Sequence, residues 1–240
     1  MRIAGSWFYN KKKRGRLIWA AAGMACMAAG CCAAFYMQVS LHVPTEVREA
    51  LAMDESVKKV AITFDDGPNP DYTEMLLAGL KERGVSATFF LLGKEVEQYP
   101  EIVKKIHEGG HLIGTHSYEH VNLSNLTDAA AIEQVDKTNA AIHEIIGEFP
   151  EYIRPPFGCW KPNLDYETTM IEVLWDVDPK DWATSNASVI AQRVLGDVGE
   201  NDIILLHDYY DTSVTAALMI VDEMKKQGYE FVTVEEILFD

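Results

Sequence analysis

From Val57 onward the chain alternates short apolar runs of strand type with amphipathic stretches of helical period, about seven times over. Such alternation restricts it to an α/β fold on a parallel sheet. The strand-like runs are Val60–Phe64, Ala87–Leu92, His111–Thr115, Tyr152–Arg154, Glu172–Val177, Asp202–Leu206 and Phe231–Val232. The helical stretches are Tyr72–Glu82, Val96–His107, Asp128–Ile146, Ala187–Val198, Val214–Gln227 and Val234–Leu238, the third preceded by Thr127 as N-cap. An open doubly wound sheet and a barrel both satisfy this pattern, and the polar residues decide between them. Asp65/Asp66, His116, Arg154, Asp178/Asp181 and His207 follow five different runs, each just past the C-terminal end. Open sheets focus chemistry at one switch point, whereas barrels gather it from many strand ends onto one face. The expected fold is therefore a distorted (β/α) barrel of about seven strands over residues 57–240.

The N-terminal part has a different character. Residues 1–16 hold six basic side chains (Arg2, Lys11, Lys12, Lys13, Arg14, Arg16), and no Asp or Glu occurs before Ser40. Leu17–Met37 is uncharged for 21 residues, which as a helix spans roughly 30 Å, the thickness of a bilayer core. The expectation is a single membrane anchor over 17–37 with a cytoplasmic basic segment before it. A short stalk over 38–56 would then lead to an extracytoplasmic domain. A cleaved signal peptide is the alternative, as is lipidation at Cys31 after Ala28-Ala29-Gly30. A buried helix of a soluble domain is a third, although the run lacks a polar face.

With the whole chain at −16 and its first forty residues at +6, the remainder carries −22. A domain that acidic makes a poor nucleic-acid binder. Three of the four cysteines (Cys26, Cys31, Cys32) lie in the apolar segment, leaving Cys159 alone beyond it. An internal disulfide in the later domain is thereby excluded, and its stability must come from a core.

Three strings stop apolar runs: Thr63-Phe64-Asp65-Asp66-Gly67-Pro68, His116-Ser117-Tyr118-Glu119-His120 and Leu205-Leu206-His207. One carboxylate and the paired imidazoles can hold a divalent metal while leaving coordination positions open, as catalytic sites do. The other carboxylate and the last imidazole remain for base and acid work. Singly, each feature has a structural explanation. Asp-Asp before Gly-Pro suits a turn, Arg154 an ion pair, Asp181-Trp182 a turn beside a core Trp, and His207 a satisfied core histidine.

Together, the five ordered strings TFDDGP (63–68), HSYEH (116–120), RPPFG (154–158), DPKDW (178–182) and LLH (205–207) resemble the carbohydrate esterase family 4 polysaccharide deacetylases, which share the NodB homology domain. The resemblance covers roughly residues 57–238. It implies Asp65 as general base, with Asp66, His116 and His120 as metal ligands. It further implies that Arg154 orients Asp65, that the Phe157 backbone N–H holds the oxyanion, and that Asp181 tunes the acid His207. Trp182 and Leu205 would wall the acetyl pocket. Phe157 stands where the family often has Tyr, a change that spares a backbone role. The metal implied is one divalent ion, zinc by default, with cobalt, manganese or iron as alternatives. The partner implied is an N-acetylated glycan polymer. Cys159, Trp160, Tyr209 and Tyr210 neighbour the motifs and could line the groove or simply pack.

Overall fold

The computed structural model describes residues 57–162, 164 and 168–239. The expected anchor at 17–37, the flanking segments 1–16 and 38–56, and Cys31 lie outside them. Among the described residues no helix is long and apolar enough to cross a membrane.

Seven parallel strands form the sheet: β1 (Lys58–Asp65), β2 (Thr88–Leu91), β3 (Leu112–Thr115), β4 (Tyr152–Ile153), β5 (Ile171–Glu172), β6 (Ile203–His207) and β7 (Tyr229–Val232). Their order is β5-β4-β3-β2-β1-β6, and β7 pairs with the first half of β1. The helices are α1 (Thr73–Arg83), α2 (Gly93–Gln98), α3 (Pro100–Glu108), α4 (Asp128–Ile146), α5 (Ala187–Asp197), α6 (Asp211–Lys226) and α7 (Val234–Phe239).

Period-two alternation sorts the side chains of each strand onto two faces. Val60, Ile62 and Phe64 of β1, Phe89 and Leu91 of β2, and Ile204 and Leu206 of β6 share one core with Leu76, Leu80, Val103, Ile106 and Ile220 of the helices. The intervening residues Ala61, Phe90 and Ile203 turn to a second, smaller cluster with Tyr152 and Val173 inside the curl of the sheet. Asp65 and His207 continue that inner row at the strand ends, where they are paired across the ladder. Gly114 belongs to it for a steric reason: a Cβ there would fall 2.6 Å from the Phe90 ring.

Three expectations need correction. The barrel is not closed by a continuous ladder, and the sheet is a curled half-barrel. After β5 the chain leaves the β4 edge and meets β6 through an isolated parallel bridge, Val177 to Ile204. The stretch expected as one strand over Glu172–Val177 is therefore a span across the opening. Val173 N–H donates to Ile153 at one end and Leu205 N–H donates to Val177 at the other. The helix expected over Val96–His107 is two helices, because Pro100 disfavours helical backbone at Tyr99 and has no N–H to continue the first. α4 runs over the expected residues, with Thr127 Oγ1 accepting from Ala130 N–H.

Candidate active site

Among the described residues, five of the six non-glycine residues with positive φ lie in the loops that leave these strands: Asp66, Ser117, His120, Phe157 and Lys180. Left-handed backbone at such positions is unfavourable and persists where surrounding contacts enforce it. Here it gathers side chains from β1, β3, β4, the β5–β6 span and β6 around one cleft of about 480 Å³.

The centre of the cleft is Asp66, His116 and His120, whose ligand atoms all lie within 4.8 Å of one another. His116 follows β3, and its Nδ1 sits 2.6 Å from the carbonyl oxygen of Arg154. A carbonyl can only accept, so Nδ1 carries the proton and Nε2 presents a lone pair. That Nε2 is 3.5 Å from Asp66 Oδ1, and His120 Nε2 is 3.4 Å from the same oxygen. The two histidines do not share a helix turn. The loop between them is pinned instead by α2, whose Gly93 and Lys94 N–H groups donate to the Ser117 and Tyr118 carbonyls. From α4, Gln134 Oε1 accepts from the Tyr118 and Glu119 N–H groups.

The donor set fits a divalent cation. Among the described residues Asp66 Oδ1 is buried without a hydrogen-bond partner, a costly condition for a carboxylate oxygen unless a cation meets it. Burial also holds His120 below its ordinary imidazole pKa, against the pull of Asp66. A neutral imidazole is the form that ligates metal.

Two supported groups flank this centre. Asp65, buried, accepts at Oδ1 from Arg154 Nη1 at 2.8 Å. Arg154 is fully buried, and it also donates to Thr63 Oγ1 and to the carbonyls of Val173 and Leu174. Its guanidinium lies 4.2 Å from the Phe90 ring centroid. Opposite, His207 Nδ1 is 2.8 Å from Asp181 Oδ1, while Asp181 Oδ2 accepts from His207 N–H and Ser213 Oγ. Burial would depress the His207 pKa, but the Asp181 hydrogen bond and charge, aided by Asp65 and Asp66, outweigh it and raise it to about 9.

That balance gives a pH prediction with a definite sign. The raised His207 pKa means that the ion pair stabilises the fold fully below the unfolded value of about 6.5. The contribution is lost as pH rises through about 9. Asp181→Asn removes the compensating charge, so the His207 pKa in metal-free protein should fall by about 1–3 pH units. Imidazole NMR titration checks this, and an unmoved pKa would mean that Asp181 does not tune His207.

Of the residues singled out in the sequence, Asp65, Asp66, His116, His120, Phe157, Trp182, Leu205 and His207 line the cleft, as do Asp178 and Tyr210. Arg154 and Asp181 lie behind it, holding Asp65 and His207. Phe157 and Trp182 are 64% and 58% exposed, and Leu205 is buried. Phe157 stands edge-on to His120 with ring centroids 4.8 Å apart. Asp178 has a turn role as well, accepting from Lys180 N–H. Tyr209 contacts the Tyr210 ring edge-on. Cys159 and Trp160 are not among the residues that line the cleft. Trp160 packs against the cluster of Leu123, Val135 and Ile153, and Cys159 Sγ turns to the Phe157 carbonyl.

Thr63, Trp175 and Ser213 went unread in the sequence. Thr63 was accessible by alternation, two residues before Asp65 and hence on the same face. Trp175 lies on the span from β5 to β6, whose apolar sequence resembles a strand, and Ser213 has no local signal.

The polysaccharide deacetylase family model matches residues 52–173. Among similar proteins, the peptidoglycan-N-acetylmuramic acid deacetylase PdaC of Bacillus subtilis is 40% identical over 77% of this chain and 40% of its own length. The peptidoglycan-N-acetylglucosamine deacetylase PgdA of Listeria monocytogenes is 37% identical over 84% of this chain and 42% of its own. The chain thus spans about two fifths of the length of these curated relatives. A solved structure of PdaC from Bacillus subtilis superposes with a TM-score of 0.75 at 40% identity, covering 76% of this chain and 91% of that one. With five motif loops converging on one cleft and this degree of likeness in sequence and fold, the chain belongs to the polysaccharide deacetylase family.

Proposed function

We propose that this protein is a metal-dependent N-deacetylase of N-acetylhexosamine units in an extracytoplasmic glycan, with peptidoglycan as the polymer. The observation that carries the reading is the opposition of two supported groups across one ligand cluster. Asp65 is held by Arg154 on one side, and His207 by Asp181 on the other.

Asp66, His116 and His120 would hold the ion, zinc in the first instance. Bound there, it supplies Lewis acidity that polarises the amide carbonyl and lowers the pKa of water. Arg154 donates to one Asp65 oxygen and fixes it, leaving the other to take a proton from the attacking water. Water adds to the carbonyl carbon while the Phe157 backbone N–H steadies the developing negative charge. His207, protonated through Asp181, delivers its proton from Nε2 to the departing sugar amine as the C–N bond breaks. The products are acetate and a free amine on the sugar. Leu205 and Trp182 wall the space for the acetyl methyl. Exposed Phe157, Trp182 and Tyr210 at the cleft edge suit stacking on pyranose rings.

Acetate release from purified peptidoglycan and from N-acetylglucosamine oligomers, with and without chelator, tests this. Release that chelator abolishes and zinc restores is expected. Binding of either glycan without turnover would instead make the chain a silent glycan-binding domain. Release from O-acetylated xylan alone would make it an esterase.

The proposed location rests on the composition of residues 1–37. Full-length protein should sediment with membranes and resist extraction by high salt. A fragment starting at 41 should be soluble and active, since every proposed site residue follows it. Protease added outside wall-permeabilised cells should remove a C-terminal tag and spare an N-terminal one. The reverse pattern would put the domain in the cytoplasm and overturn the polymer assignment.

A further inference from the structure

The carboxyl group of Asp208 is fully buried directly after His207, and no step above employs it. It is pressed against the backbone at Gly67, the residue after Asp66. A Cβ at Gly67 would fall 2.6 Å from Asp208 Oδ1 and 2.8 Å from its carboxyl carbon, so only glycine admits this approach. Asp208 Oδ2 accepts from Thr73 Oγ1 at 2.5 Å, and Thr73 Oγ1 in turn accepts from Asn69 N–H at 2.7 Å. Asn69 Oδ1 then accepts from the N–H groups of Asp71 and Tyr72, which closes the loop onto α1. On the opposite side the Gly67 carbonyl accepts from Leu92 N–H at 3.0 Å. Residues 67–72 are thus clamped between β2 and a buried carboxyl carried by the strand of His207. Among the described residues Asp208 Oδ1 has no hydrogen-bond partner. A carboxyl group kept here with one oxygen unmatched is poorly explained by stability, because burying an unsatisfied polar atom is unfavourable.

We infer that Asp208, through Thr73 and its packing on Gly67, is a positioning residue that fixes Asp66 for metal binding. It touches neither metal nor substrate. The left-handed backbone of Asp66, with φ of 75°, needs such outside enforcement. The inference rests on the reading of Asp66, His116 and His120 as the metal ligands.

The test is zinc affinity of the full chain by calorimetry or chelator competition, with folding followed separately by circular dichroism. Groups that hold a ligand in place typically contribute about 10–100-fold to metal affinity. Asp208→Ala and Thr73→Val should each weaken zinc binding by about that factor in protein that is still folded, and Thr73→Ser should restore it. Because both substitutions break one clamp, the double variant should bind zinc about as well as the weaker single variant. Should Asp208→Ala not fold, Thr73→Val against Thr73→Ser carries the test alone. Unchanged zinc affinity in folded Thr73→Val, or losses that simply add in the double variant, would overturn the inference while leaving the metal site intact. Wild-type chain that binds no zinc would overturn the ligand reading, and this inference with it.

Discussion

Alanine at Asp66, His116 or His120 is expected to abolish bound zinc and acetate release together, with the domain still folded. Turnover should fall by at least ~10²–10³-fold, the scale on which loss of one stabiliser of developing charge is felt. The fold should survive because the outer core of β1, β2, β6 and the helices contains none of the three. The variants should nevertheless differ in stability. His116→Ala leaves the Arg154 carbonyl without its imidazole donor, a loss of about 1 kcal/mol. Asp66→Ala forces alanine into a left-handed conformation that Asp and Asn tolerate better, so Asp66→Asn is the cleaner companion. Metal content by elemental analysis, paired with thermal unfolding, decides the matter. A full metal equivalent with normal turnover in any one variant would remove that residue from the ligand set.

The strands were legible because a buried parallel strand is a short, nearly continuous apolar run, and β1, β2 and β6 contain such runs. Less legible was how the sheet ends. Val173–Val177 is largely apolar like a strand, yet it meets β6 only at its end, through Asp176 and Val177, because the curl of the sheet and not composition decides which edge it reaches. The proposed ligands and the two proposed proton-transfer groups were legible for a related reason: chemistry that needs carboxylates and imidazoles uses few residue types, and each stood where an apolar run stopped. Arg154 and Asp181 came with the motifs, but the groups that support them from farther off did not. Ser213 and Thr73 are ordinary helix residues in sequence, and what makes them matter is a hydrogen bond to a residue far along the chain. Arg154 was visible through its motif. Its complete burial, with Thr63, Asp65, Val173 and Leu174 all accepting from it, is a property of the packed curl.

That burial makes Arg154 the position where stability and catalysis can be separated. Arg154→Met keeps the volume but leaves the Asp65 carboxylate buried without its cation, along with two backbone carbonyls. Breaking a buried ion pair by removing one partner typically costs about 3–5 kcal/mol, so this variant should unfold at much lower urea concentration than wild type. Lysine is no substitute, since one ammonium with three hydrogens cannot reach four acceptors spread around a planar guanidinium. Adding Asp65→Asn to Arg154→Met removes the stranded charge and should recover part of the lost stability. It should recover no activity. Asp65→Asn alone already forfeits about 10²–10⁴-fold in turnover if Asp65 is the base, while zinc stays bound. Stability would then follow the balance of charge between the two residues, and turnover would follow Asp65 alone. An Arg154→Met protein within about 1 kcal/mol of wild type would mean that Asp65 finds another partner or goes neutral. An Asp65→Asn protein within a few-fold of wild-type turnover would mean that another group takes the proton.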